Sequence, residues 1–128
     1  MKLTIIQFNY GVGGSGIAHA HLSSDPPASA FDRQPYLAIE VGFIVCQDKP
    51  GSILDSQELV ALPEYGPATF LIATFVSVKP VNAPAGQIWP DHSEFRQKLA
   101  KMIGNMVCTA ELSNHELAAP SLICVDRN

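Results

Sequence analysis

Apolar and polar residues alternate along two long stretches of the chain and recur at helical period along a third. Over residues 36–46, Leu37, Ile39, Val41, Phe43 and Val45 occupy every second position, which places them together on one face of an extended strand. The intervening Tyr36, Ala38, Glu40, Gly42 and Ile44 make a mixed second face. Over residues 68–78 the alternation carries apolar residues on both sides. Phe70, Ile72, Val76 and Val78 fall on one side, and Leu71, Ala73 and Phe75 on the other. A strand apolar on both faces is expected at the centre of a covered sheet. Further on, Phe95, Leu99, Met102, Ile103, Met106 and Val107 fall at i, i+4, i+7, i+8, i+11 and i+12, one stripe of a helix spanning about residues 91–111. Asp91 stands at its N-cap and Glu94 three residues on, the arrangement of a capping box. Arg96, Lys98, Lys101 and Asn105 fall on the other faces.

Weaker patterns fill the rest. Residues 3–10 are rich in β-branched and aromatic side chains and predict a strand. The run Gly11-Val-Gly-Gly-Ser-Gly16 interrupts it, and residues 17–22 fit either a return strand or one or two helical turns. Asp25-Pro26-Pro27 fits no helix interior, so residues 11–34 are expected to hold a mobile Gly/Pro-rich loop. Asp48-Lys-Pro-Gly51 has the chemistry of a turn. Residues 55–62 predict a short helix, with Asp55 capping, Glu58 three residues on and Pro63 past the end; a strand over 58–62 is the alternative. Pro80, Pro84 and Pro90 make a stiff connector that holds Trp89, and residues 121–125 fit a last short strand. Strands followed by a helix give an α+β class: one domain over 1–128, with an antiparallel or mixed sheet of four to five strands and the long helix on one face.

Composition sharpens this picture at one point. Hydrophobic residues make up 47% of the chain and charged residues 16%, against a usual charged share of about 25%. A single amphipathic helix covers one face of a sheet, and the apolar residues of 68–78 ask for cover on the other. A second copy of the chain is the expected cover, so the protein is expected to be a homo-oligomer. The net charge of −4 and the lack of any Lys/Arg run remove the basic field on which nonspecific nucleic-acid binding rests. No stretch approaches the roughly 18–20 apolar residues of a membrane span, and Gln7 and Asn9 break the first apolar run, which is therefore no signal peptide. Three cysteines, Cys46, Cys108 and Cys124, form no Cys-x-x-Cys pair, which fits reduced thiols in a cytoplasmic protein.

The candidate chemistry is thin. Gly11, Gly13 and Gly16 fit G-x-G-x-x-G after a strand, and with Gly14 and Ser15 they could cradle a nucleotide or another phosphate ligand on backbone N–H groups. The crossover helix of a complete dinucleotide-binding unit would have too few residues before Asp25-Pro26-Pro27. Glu40, in mid-strand, either faces solvent or belongs to a ligand pocket or interface. His19-Ala-His21 puts two imidazoles on one side if the segment is extended, the arrangement of a small metal site. Gly13, five residues and then His-x-His resembles the opening of the first cupin motif, with Asp25 in the place of the family acid; Asp32 stands where the family has its next glycine, and no second motif follows. No nucleophile signature is present: there is no G-x-S-x-G, and no serine or cysteine is paired with a histidine by spacing. Tyr65 and Trp89 sit beside prolines in rigid loops, where an aromatic side chain either anchors a partner or packs on the helix. The leading expectation is a non-enzymatic binding or assembly protein, a homo-oligomer recognising partners through loops 11–34 and 80–90. A phosphate or nucleotide binder at residues 11–16 is the first alternative, and a small metalloenzyme using His19 and His21 the second. No cofactor is implied.

Overall fold

The computed structural model describes residues 1–11, 13–24, 34–112 and 125–126. Five strands and one long helix account for most of them: β1 (Lys2–Tyr10), β2 (Ser15–Ser23), β3 (Tyr36–Gln47), β4 (Gln57–Ala61), β5 (Thr69–Val81) and α1 (His92–Leu112). A 3₁₀ turn (Pro63–Tyr65) precedes β5, and a two-residue strand, β6 (Val125–Asp126), lies at one edge. The sheet runs β4-β5-β3-β2-β1-β6, antiparallel at every pairing. The fold is α+β, with α1 packed against one face of the sheet.

The helix is built as its sequence predicts. The Asp91 carboxylate accepts a hydrogen bond from the Ser93 N–H at 3.2 Å, so the first turn has a capped N–H. Phe95, Leu99, Ile103 and Val107 are buried along its inner face. They meet Leu3, Ile5 and Phe8 of β1, Ala18, Ala20 and Leu22 of β2, the Leu37-to-Phe43 face of β3, and Leu71 and Ala73 of β5 in one apolar cluster. Gly104 lets the helix close on the end of β4, where a Cβ would lie 3.0 Å from Leu62 Cδ2. Arg96 ties the helix to β4 from the other side: it donates to the Asp55 carbonyl at 2.6 Å and to the Gln57 carbonyl at 3.1 Å. Its guanidinium also faces Glu58 at 3.6 Å and lies 4.9 Å above the Phe75 ring.

Several expectations need correction. Of the two readings of residues 17–22 the return strand is the one formed, as β2 over Ser15–Ser23, so the loop expected over 11–34 is divided by a strand. Alternating small and large residues, Ala18, Ala20 and Leu22, give β2 its buried face. Residues 25–33 lie outside the described residues, as do Cys124 and most of the expected last strand at 121–125. The short helix expected over 55–62 is the alternative strand, β4, because Val60 and Glu58 face the helix side while Leu59 faces away. Finally, β5 is an interior strand, paired with β3 on one edge and β4 on the other, and α1 covers one of its faces. A bulge breaks its register with β3 between Glu40 and Val41, so that Glu40 opposes Ser77 and Val41 opposes Phe75. The extra residue shifts the alternation: Val78 joins the core side opposite Ile39, while Val76 stands on the far face. The resemblance to the cupin opening does not extend to the fold, which is an open sheet with a helix and not a jelly roll.

Candidate functional site

The face of the sheet opposite α1 carries the chain's unassigned side chains. Register fixes its rows. Thr4, His21, Ala38 and Lys79 form one row across β1, β2, β3 and β5; Gln7, His19, Glu40 and Ser77 form the next. Ile17, Gly42, Thr74 and Gln57 follow, then Ser15, Ile44, Ile72 and Leu59, and last Cys46, Phe70 and Ala61. The face therefore has two halves.

The first half is apolar. Ile17, Ile44, Ile72, Leu59 and Phe70 are neighbours across adjacent strands, and Val76 leans over Gly42, whose missing side chain leaves room for it. Ile17, Ile44 and Val76 are 46%, 47% and 60% exposed, so half of each large side chain meets water. One exposed isoleucine is ordinary; here several large apolar side chains lie side by side on the face that α1 does not cover.

The second half is polar and carries both histidines. His19 Nε2 lies 3.7 Å from Glu40 Oε1, and the His21 ring stacks on Tyr36 with centroids 4.1 Å apart. Partial burial holds the His21 imidazole below its ordinary pKa of 6.5. The strand conformation does put both imidazoles on one side, as a metal site requires. Among the described residues, however, no three His, Cys, Asp or Glu side chains converge on a point where an ion could be held.

The glycine run sits at one end of this face as a hairpin turn between β1 and β2. The Gly11 N–H donates to the Ser15 carbonyl at 3.1 Å, and the Val45 N–H donates to the Gly14 carbonyl at 2.6 Å, pinning the turn to β3. Gly13 and Gly14 have φ of +98° and +82°, which glycine adopts without strain. A strand follows them, not a helix, so the helix-dipole half of a dinucleotide site is not formed here. Gly16 belongs to β2 and packs under the Phe43 ring. Tyr65 and Trp89 are both partly buried against the core, and the Tyr65 hydroxyl donates to the Val107 carbonyl at 2.7 Å, joining the 3₁₀ turn to α1. Cys108 is buried, and burial together with the neighbouring Glu64 carboxylate pushes its thiol up to about 11, away from nucleophilic use.

The structure thus pairs His19 with Glu40, keeps His21 on the same face against Tyr36, and leaves Gly11, Gly13, Gly14 and Ser15 at the opposite end of the face. Tyr65 and Trp89 lie off it. Phe70, Ile72 and Val76 were expected on one face of their strand; that Ile17, Ile44 and Leu59 join them there depends on strand order, which the sequence alone does not carry. Compared with known protein families, curated proteins and solved structures, the chain matches none. Among the described residues no helix is long and apolar enough to cross a membrane.

Proposed function

We propose that this protein is a non-enzymatic assembly or binding protein that works as a homodimer, two copies pairing through the sheet faces opposite α1. The observation that carries this reading is the joined apolar patch of Ile17, Ile44, Ile72, Leu59, Phe70 and Val76 on a face that α1 does not cover.

Size supports a second copy as the occupant. Five strands about 4.8 Å apart and some nine residues long at about 3.4 Å per residue present a face of roughly 700 Å². A stable interface buries about 800 Å² on each partner. Charge supports it too. The described side chains of this face carry Lys2, Lys79 and Glu40 as their charges, scattered among neutral residues. A partner of strong charge of either sign finds no field to grip, whereas two such faces meet without repulsion. Two antiparallel sheets stacked about 10 Å apart, aligned to within roughly 30°, are the ordinary way such faces bury each other. Recognition by loops is then secondary: the glycine turn lies at one end of the pairing face.

Sedimentation velocity or native mass spectrometry on the full chain tests this. The wild type is expected at twice the chain mass, and Ile44→Lys, a change at an exposed position, at the single-chain mass with unchanged circular dichroism. A wild type of single-chain mass at about 100 μM, far above a micromolar dissociation constant, overturns the proposal.

A further inference from the structure

The two histidines lie inside the surface that pairing would bury, and they are not equivalent. His19 has a carboxylate beside it: Glu40 Oε1 is 3.7 Å away. Among the described residues His21 has none so close. Its ring is stacked on Tyr36, and its register partners are Thr4 on β1 and Ala38 on β3. The charged groups around it are set further off. Lys2 lies one step along β1, diagonal to His21 through its pairing with Ser23. Glu40 is likewise diagonal on β3 and is already engaged with His19. Lys79 lies beyond Ala38 on β5, and on β6 Asp126 is in register with Thr4. Lys2 and Glu40 are thus both diagonal to the ring, and Lys79 lies two strands away.

We infer that His21 makes the pairing of the two copies pH-sensitive: its neutral imidazole stacks between the sheets, and its protonation drives them apart. This rests on the sheet-to-sheet pairing proposed above. Covering the face removes the water that solvates an imidazolium, and among the described residues no carboxylate stands beside His21 to replace it. The two-fold relation of a homodimer places two His21 residues in the interface, so both must shed a proton before pairing. The sign follows from linkage. Protons bind the separate chains more tightly than the pair, so the dissociation constant rises as pH falls through the pKa of His21 in the separate chain. That pKa lies below 6.5, so the change falls on the acid side of neutrality.

The dissociation constant of the full chain, measured by sedimentation equilibrium at pH 7.5 and pH 5.0, tests the inference, with circular dichroism confirming a folded chain at both. The wild type is expected to dissociate at least tenfold more readily at the lower pH, with an upper limit of about a hundredfold per pH unit for two histidines. His21→Phe, which keeps the stacked ring, is expected to pair at pH 7.5 and to lose the pH dependence. His19→Gln is expected to keep it. A wild type that pairs equally well at both pH values overturns the inference while leaving the dimer standing, and so does a His21→Phe dimer as pH-sensitive as the wild type. A wild type that is single-chain at pH 7.5 fails at the earlier step and removes the pairing itself.

Discussion

At the scale of single residues, the glycine run divides into positions with different physical reasons. Gly13 and Gly14 are needed for their positive φ at the turn. Gly16 is needed for space: a Cβ there drives into the Asn9 carbonyl oxygen and lies 2.5 Å from Phe43 Cζ. The first obstacle is backbone of the paired strand and the second is a ring stacked on Phe8 with centroids 5.4 Å apart, so neither can move aside alone. Gly16→Ala is therefore expected to cost about 3 kcal/mol, the upper range for forcing atoms into a packed site, read as a lower urea midpoint. A loss under about 0.5 kcal/mol, typical of open surface, contradicts this packing. Cys108 gives a second prediction. Its thiol is raised from 9.0 to about 11, first by burial and then by Glu64. Between these two values the unfolded chain has lost the thiol proton and the native chain retains it. Stability accordingly falls as pH rises from about 9 to about 11 and is fully present below that window. Urea titrations across the window should show a steeper decline in the wild type than in Cys108→Ala, and equal slopes would mean that the thiol titrates alike in both states.

At the scale of elements, Arg96 decides how α1 and β4 hold together. Its two carbonyl acceptors, its facing carboxylate Glu58 and the ring of Phe75 all belong to the β4–β5 edge of the sheet or the segment before it. Arg96→Ala leaves the Asp55 and Gln57 carbonyls without this donor and is expected to cost about 2 kcal/mol. Hydrogen exchange is expected to lose protection first in Gln57–Ala61, and uniform loss across the sheet would place the effect elsewhere. The same edge explains what was legible in the sequence. The long elements β3, β5 and α1 announce themselves, because each sustains one period over ten or more residues. β4 does not: Asp55, Glu58 and Pro63 imitate a helix start and stop, while its strand geometry depends on pairing with β5. β2 stayed open between a strand and helical turns, because its small alternating residues gain their burial only from tertiary packing. Val78 was assigned to the wrong face of β5 because a bulge is set by register with a neighbouring strand, which one chain read in isolation does not carry. Of the candidate site, the shared side of His19 and His21 was legible from spacing of two. The meeting of His19 with Glu40 was not, since it depends on the pairing of β2 with β3.

At the scale of the whole molecule, the helix face and the open face pose different energetic problems. The first is closed within one chain, with Leu99, Ile103, Val107 and Ile39 nearly or wholly out of water. The second keeps Ile17, Ile44 and Val76 about half exposed, and burying them adds stability only when another surface arrives. If that surface is a second copy, stability must depend on concentration, because unfolding one pair releases two chains. Each tenfold rise in concentration then adds about 1.4 kcal/mol per pair, which for a paired unit of this size raises the melting temperature by roughly 3 °C. Across a hundredfold range the wild type is expected to gain about 6 °C, and Ile44→Lys, which keeps the helix-side core and removes the pairing, is expected to gain nothing. The comparison separates a face that is merely tolerated in water from one that is used. A scattered set of exposed isoleucines leaves both proteins flat, a copy-to-copy interface lifts the wild type alone, and nonspecific aggregation through the patch gives irreversible, scan-rate-dependent melting in place of a reversible shift.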